Sequence, residues 1–568
     1  MIDWISLFTN ALWVFGLALV LIAFSFAIYQ SAETDSRLRS QLGRPGFTLA
    51  SSLGLLFFSL GMAANSTRGW WESLLWLGLA LAFGIQAWSA QRQRRGLDND
   101  LRPILRAWLT SDAPIALGII LLGVIVAILY AFIIRPWMQP DEPRHFEVAQ
   151  HVARLHKPVV YYPDRVLEWE QEIIADMETQ DFWWYGYSVT GWDPDQLPQS
   201  FDDIWGAQYG LAFFQQPLYY TLAGGLLGSW DDALPLSVAI VRLRMLGVFL
   251  LALSLWGVYK IVRELFPQRQ RFALVVLAIA ALWPSHLAAN ATMNNDPLVE
   301  VFVIWALYFA VHLIRRGPGL LNLTGLFLCG LLAMVSKRSG LIALGLFPAA
   351  LFLWGLGRIS GRWTAKRIIL ALGLLAVVLA AGGALALAAL RTGRIYVPKD
   401  FNQALATGAY WQELAEAPLA RFAGVLLRTF VGWFGWLRLP LPEPLYWLGA
   451  IVLVVALLGY LFYARPSLSL DLAGWQKRAL LLLAGALLLQ IGFILGKELV
   501  YGLWRDGSNP QARYLYPVFP SILILGVLGL AAFVPTRLRP SALPTVLLLL
   551  LAFNVYVLAF VLYPFFWL

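Results

Sequence analysis

A single cysteine, Cys329, occurs among the 568 residues. A lone cysteine excludes an intrachain disulfide and a cysteine-based metal site. Charge is scarce as well: Asp, Glu, Lys and Arg make up 13% of the chain, against roughly 25% in an average soluble domain. That excludes a charge-rich disordered chain and a basic nucleic-acid tail, so no nucleic-acid partner is expected. Familiar site motifs are missing too. His145, Glu147 and His151 lack the HExxH spacing of a zinc protease. There is no Walker loop, no GxGxxG ahead of a helix and no serine-centred elbow. No internal repeat stands out. Met1 to Asn10 has no basic n-region and the first apolar run is full length, so no cleavable leader is expected.

What the chain does have is apolar length. Hydrophobic residues make up 60% of it, and the mean hydropathy is +0.68. A helical span needs about 20 apolar residues. Fourteen runs qualify: Thr9–Tyr29, Phe47–Ala64, Trp71–Trp88, Pro114–Ile134, Leu236–Tyr259, Phe272–Ala289, Leu298–Leu313, Leu320–Val335, Gly340–Leu356, Ile368–Leu390, Leu445–Tyr463, Ala479–Leu495, Leu515–Val534 and Leu543–Phe560. The expected fold is an all-α polytopic membrane protein with about fourteen transmembrane helices.

Orientation follows from Lys and Arg in short loops. Seven such loops hold 23 of the 42 basic residues, among them Lys260–Arg271 and Arg315–Arg316. They are expected on the cytoplasmic side of a plasma (inner) membrane, and the net charge of +9 then reflects topology. The scheme works only if Gln215–Trp230 (QQPLYYTLAGGLLGSW) is not a span. Gly224, Gly225 and Gly228 weaken it as a helix, so it reads as interfacial or re-entrant. Both termini then lie outside. Two large outer loops result, at 135–235 and 391–444. The stretch Gln139–Gly210 holds 14 acids and 4 basic residues.

The candidate chemistry lies in the expected outer loops. Gln139-Pro-Asp-Glu-Pro-Arg-His-Phe146 places the adjacent carboxylates of Asp141 and Glu142 directly after a span. Neighbouring carboxylates raise one another's pKa and suit a general base. N-capping accounts for only one of the two acids. An amphipathic surface helix is expected next, with Phe146, Ala149, Val152 and Ala153 on one face. Asn294-Asn-Asp-Pro297 puts Asn295 and Asp296 at the start of another span, as a cap or a site wall. Lys337 and Arg338, in Ser336–Gly340, fall on the outer side against the charge bias. They bind either an anion such as a lipid phosphate or the acidic first loop. Gln511–Pro517 brings Arg513, Tyr514 and Tyr516 to the outer end of a span. In the second large loop, Arg421 and Arg428 share a helical face, followed by Trp433, Trp436 and Arg438. Such groups serve sugar and phosphate contact or plain interfacial anchoring.

The order of these motifs resembles the type C glycosyltransferase superfamily (GT-C). That superfamily includes lipid-dependent protein mannosyltransferases, aminoarabinose transferases and a large uncharacterised bacterial family of predicted membrane proteins. Its acidic pair matches Asp141 and Glu142, and the wider run PDEPRHF, with His145, looks most like the bacterial family. A PPLYY-type segment matches QQPLYY, with Gln216 in place of the first proline. NDPL matches Asn295 to Leu298, a lysine between spans matches Lys337, and an RYxxP element matches Arg513 to Pro517. The resemblance covers about 114–534. It leaves 1–113 as additional N-terminal helices and 535–568 as a C-terminal helix.

The resemblance implies a cell-envelope transferase at the outer face, with a polyprenyl-phosphate sugar donor and a hydroxyl-bearing acceptor. Asp141 or Glu142 would be the base of an inverting transfer. Lys337, Arg338 and Arg513 would hold the departing phosphate. His145, Gln216, Asn295, Arg428 and Tyr514 would complete the substrate site. Asp296 would position substrate or, alternatively, a divalent cation. Two other readings share these spans: a transporter or lipid flippase, and a polymer ligase using a lipid-diphosphate donor. Charge concentrated at span ends and the lack of matching halves with broken helices argue against the transporter.

Overall fold

A computed structural model describes residues 4–34, 36, 38–65, 70–96, 112–155, 166–185, 198–205, 216–230, 234–358, 418–463, 472–500, 510–535 and 537–568. The chain divides into two compact units. One comprises Met1–Pro114 with Gly228–Leu234. Its long helices are α1 (Trp4–Glu33), α2 (Pro45–Asn65) and α3 (Trp70–Gly96), with α2 packed against both others.

The other unit comprises Ile115–Leu227 and Pro235–Leu568. Its first half holds α4 (Ala113–Ile133), α5 (Glu142–Leu155), α6 (Leu167–Thr179), α7 (Pro217–Leu227), α8 (Leu236–Leu265), α9 (Gln270–Leu282) and α10 (Pro284–Asn290). Then come α11 (Asp296–Arg316), α12 (Leu320–Ser336), α13 (Leu341–Arg358) and α14 (Leu419–Val431). A two-stranded hairpin follows, β1 (Trp433–Phe434) and β2 (Leu439–Pro440), antiparallel with Trp433 opposite Pro440. The last long helices are α15 (Glu443–Tyr463), α16 (Gly474–Val500), α17 (Phe519–Ala531) and α18 (Ala542–Tyr556). The C-terminal residues 535–568, set apart in the sequence, pack inside this unit. The Asn554 amide accepts from Tyr130 at 3.0 Å and donates to the Leu282 carbonyl at 2.8 Å.

The protein is an all-α polytopic membrane protein. Among the described residues ten helices are long and apolar enough to cross a membrane, or eleven if the pair α9 and α10, bent by 59°, is one span. The expected count of fourteen is not reached, for identifiable reasons. The span expected at Leu320–Val335 is a helix of 17 residues, about 26 Å long at 1.5 Å per residue. The apolar part of α3 is only Leu75–Trp88. Ile368–Leu390 lies outside the described residues.

At 11 residues, α7 is far too short to span. It lies on α5. A side chain on Gly224 would sit 2.7 Å from the Ala149 carbonyl oxygen, so only glycine permits this approach. This corrects the expectation of a helix lying on the surface: residues 142–152 are all buried, because α7 packs on the apolar face at Ala149 and Val152 while Glu172 of α6 meets Gln150 on the polar face at 3.1 Å. The Arg144–Glu147 pair on that face closes at 3.3 Å.

Close approach also places the turn before α11. Gly247, in α8, has its bare Cα against the Asn290 carbonyl, where any Cβ would clash. Pro297 sits in the first turn of α11. The Asn294 side chain accepts from the Asp296 N–H at 2.7 Å. At the far end of α11, Arg315 and Arg316 meet Glu264 of α8 at 3.1 and 3.5 Å. Two of the basic loops therefore share one end of the bundle, and Asp296 marks the other, about 30 Å away by helix rise.

Candidate active site

The turn from α4 into α5 sets the two acids in opposite directions. Trp137 and Asp141 both have left-handed backbone, φ 69° and 70°, a conformation enriched in Asp but uncommon for Trp. The Asp141 carbonyl accepts from the His145 N–H at 3.0 Å. It heads α5 through its backbone, and its carboxylate is left for another partner.

Glu142 points inward and is fully buried. Arg244 donates to its two carboxylate oxygens from Nε at 2.8 Å and from Nη2 at 2.7 Å. The Thr292 hydroxyl at 3.2 Å and the Met293 N–H at 3.1 Å also donate to it. The same guanidinium donates to the carbonyls of Ala131, Ile134 and Arg135 at 2.5–2.8 Å. Those groups close α4, whose last carbonyls have no partner within the helix. Glu142 and Arg244 thus tie together the end of α4, the acidic turn, α8 and the turn before α11.

Asp141 keeps 27% of its side chain exposed. Arg513 Nη2 donates to its Oδ2, and Arg513 Nη1 reaches the Pro140 carbonyl at 3.4 Å. Burial works to raise the Asp141 pKa. Arg513 above all, with His145 and Lys337, overcomes this and holds it at about 2. Asp296 is paired with Lys337 through Oδ1, and its Oδ2 lies 3.9 Å from Arg513 Nε. Tyr514 lies under both cations, its ring centre 5.3 Å from the Lys337 ammonium and 5.2 Å from the Arg513 guanidinium. An alternating chain results: Asp141, Arg513, Asp296, Lys337.

His145 closes one side. Its Nδ1 is 2.6 Å from the Tyr220 hydroxyl of α7. Burial lowers its pKa to about 4, with Lys337 and Arg513 acting in the same sense, so it is neutral at pH 7. Asn295 is buried and donates to the Ser336 carbonyl at 3.4 Å, linking the turn before α11 to the turn that carries Lys337. Arg338 is partly exposed and its buried Nε has no hydrogen-bond partner among the described residues. The four charges of the chain cancel, and Arg338, next to Lys337 in the sequence, makes no ion pair among the described residues. Asp296 is already paired with Lys337, and no group of three His, Cys, Asp or Glu suited to a metal occurs among the described residues. The arrangement therefore suits an anion better than a divalent cation at Asp296.

Two expected residues are not brought to the cluster. Gln216 stands just ahead of α7 and makes no hydrogen bond among the described residues; Tyr220 is the contact from that segment. Arg428 pairs with Glu443 at 2.8 Å and lies over the Tyr446 ring at 5.0 Å. Conversely, Arg244 was missed by reading charge at span ends only. Two arginines, Arg242 and Arg244, inside the apolar run Leu236–Tyr259 were the available signal.

Residues 236–383 match the family model described as dolichyl-phosphate-mannose-protein mannosyltransferase. The stretch spans Arg244, Asn295, Asp296, Lys337 and Arg338. The likeness to the type C glycosyltransferase superfamily read from the motifs is thereby borne out. Two crystal structures of the Archaeoglobus fulgidus oligosaccharyltransferase are also similar. One is a complex with Zn and sulfate, at 12% identity and TM-score 0.37, covering 78% of this chain and 52% of that one. The other is tethered to an acceptor peptide containing the NVT sequon, at 12% identity and TM-score 0.39, covering 81% and 55%. The chain thus spans about half the length of these structures. No curated protein matches it.

Proposed function

We propose that this protein is an inverting glycosyltransferase that moves a sugar from a polyprenyl-phosphate donor to a hydroxyl-bearing acceptor at the outer face of the plasma membrane. The observation that carries the reading is the alternating chain Asp141, Arg513, Asp296, Lys337. In it the Asp141 carboxylate meets Arg513, and Asp296 joins Arg513 to Lys337, which supports a base beside a cationic site for phosphate. The outer-face assignment rests on the charge bias: basic loops share the end of the bundle away from the chain. Residues 114–534 would carry the chemistry, with 1–113 and 535–568 accessory.

In the proposed reaction the acceptor hydroxyl loses its proton to Asp141 while its oxygen attacks the anomeric carbon. The bond from that carbon to the phosphate oxygen breaks on the opposite face, and its electron pair leaves with the polyprenyl phosphate. A phosphate monoester has a second pKa near 6 and departs without a strong acid. Lys337, Arg338 and Arg513 stabilise the charge that develops on it. Arg513 is the link between the two halves. With donor absent it holds Asp141 ionised and weakly basic. When phosphate takes a share of the guanidinium, burial is left to raise the carboxyl toward a useful base. Glu142 is the strut beneath it, a structural part in place of a catalytic one.

The direct test supplies purified, reconstituted protein with polyprenyl-phosphate hexoses and follows release of polyprenyl phosphate. Asp141→Asn should stop release and leave donor binding intact. A wild-type protein that neither binds nor consumes any polyprenyl-phosphate sugar would overturn the reading.

A further inference from the structure

Between the hairpin and the turn before α11 lies a small open cleft of about 60 Å³, room for about four water-sized groups at roughly 10–15 Å³ each. Its walls include Gln139, Asn294, Trp433, Phe434, Gln511 and Arg513. Arg513 and Gln139 flank the acidic turn, so the cleft opens beside Asp141. Lys337 and Arg338 are not part of it.

The hydrogen-bonding inventory of these walls is incomplete in a telling way. The indole N–H of Trp433 is buried and has no partner among the described residues. Buried donors are nearly always satisfied, and an orphan asks for a missing partner. Asn294 uses Oδ1 on the Asp296 N–H, and its Nδ2 has no partner among the described residues. Gln139 uses Nε2 on the Ala288 carbonyl at 3.1 Å, which leaves its Oε1. Gln511 makes no side-chain hydrogen bond among the described residues. Donors and acceptors with unused capacity therefore line the same cleft as the rings of Trp433 and Phe434. Alternating hydroxyls on an apolar ring complement such a surface; a lipid tail or a second anion does not.

The hairpin is also tied to the catalytic turn. Its tip has left-handed backbone at Gly435, Trp436 and Leu437. There the Trp436 indole donates to the Trp137 carbonyl at 2.9 Å, four residues before Asp141. Wall and base are thus held in one register.

We infer that this cleft receives the sugar ring of the donor, with the Trp433 indole N–H and the Gln511 amide reading its hydroxyls. The inference rests on the glycosyl-transfer reading above. The phosphate would lie toward Lys337 and Arg338, and the attached ring would extend past Arg513 into the cleft. Trp433 and Gln511 are then specificity-determining residues.

The test compares binding of undecaprenyl-phosphate glucose, undecaprenyl-phosphate mannose and bare undecaprenyl phosphate to the full chain in nanodiscs. Trp433→Phe keeps an aromatic ring and removes the N–H, and Gln511→Leu keeps the bulk of the amide. Each should weaken at least one sugar-bearing lipid by roughly 5- to 10-fold, the worth of one hydrogen bond. Each should leave the bare phosphate unchanged, with no drop in melting temperature for Gln511→Leu. Equal losses for sugar-bearing and bare lipid, or no loss in either variant, would overturn the subsite. So would a wild-type protein that binds sugar-bearing lipid no better than bare phosphate, although phosphate binding would then still stand. Binding of none of the three would remove the transfer reading and this one together.

Discussion

Arg244 and Glu142, 102 residues apart in the chain, form a fully buried, two-point pair at 2.8 and 2.7 Å. Three carbonyls, a hydroxyl and the backbone N–H groups of Gln139 and Met293 complete the network around them. Removing one partner of such a pair strands a charge in the interior and costs about 3–5 kcal/mol, whereas replacing both by apolar groups is far milder. Glu142→Gln and Arg244→Met should each lower the melting temperature of the detergent-solubilised protein. Glu142→Leu combined with Arg244→Met should recover part of the loss. Additive losses in the double variant would contradict the pairing.

The neighbouring acid should behave in the opposite way. Asp141 is partly exposed and bears on a cation in an open site, so Asp141→Asn should lower the melting temperature much less than Glu142→Gln. Transfer should fall by about 10²–10⁴, the usual worth of a general base. Comparing Asp141→Asn with Glu142→Gln separates chemistry from architecture. A Glu142→Gln protein as stable as wild type yet inactive would transfer the base role to Glu142.

How far the sequence led can be read from these two residues. Adjacent acids after a span were visible, as were Asp296, Lys337 and Arg513, and the structure draws all four charges of the chain into contact. Their convergence follows from helix ends that periodicity locates well. The division of labour between Asp141 and Glu142 was not visible, because it depends on a left-handed turn and on Arg244 arriving from another helix. The hairpin was invisible for a similar reason: two-residue strands carry no periodicity, and Trp433 and Trp436 read equally well as interfacial anchors. The count of about fourteen spans is not confirmed among the described residues, where Leu320–Ser336 is a helix of only 17 residues.

Lys337 and Asp296 give a prediction on the donor side. Lys337→Met removes a cation proposed to meet the departing phosphate and leaves Asp296 with Arg513 alone. Loss of one such donor typically lowers kcat by about 10²–10³. Arg338→Ala should act more on donor affinity, since Arg338 makes no ion pair among the described residues and is available for a first electrostatic contact. Steady-state kinetics with a polyprenyl-phosphate sugar distinguish the two, through kcat for Lys337 and KM for Arg338. Unchanged parameters in both variants would remove the phosphate from this end of the bundle.

His145 supplies the pH dependence. Its pKa falls from the ordinary 6.5 to about 4 in the folded protein, chiefly through burial, with Lys337 and Arg513 adding repulsion against the opposing pull of Asp141 and Asp296. A group whose pKa is depressed on folding contributes stability that is complete above its unfolded value and is lost as pH falls through its folded value. The window is therefore pH 6.5 down to about 4, with a slope of at most about 1.4 kcal/mol per pH unit for this one group. His151 is likewise lowered to about 4, by burial and then by Arg154, so it titrates in the same window. Asp141, held at about 2, contributes stability that is complete above its ordinary 3.8 and is lost only below it, outside this window. Melting temperatures measured from pH 7 to pH 4 should fall for the wild type, fall less steeply for His145→Gln, and be flattest for His145→Gln combined with His151→Gln. Only His145 adjoins the charge chain, so acid loss of donor binding over the same range should persist in His151→Gln and diminish in His145→Gln. The reverse pattern would place the titrating group outside the site.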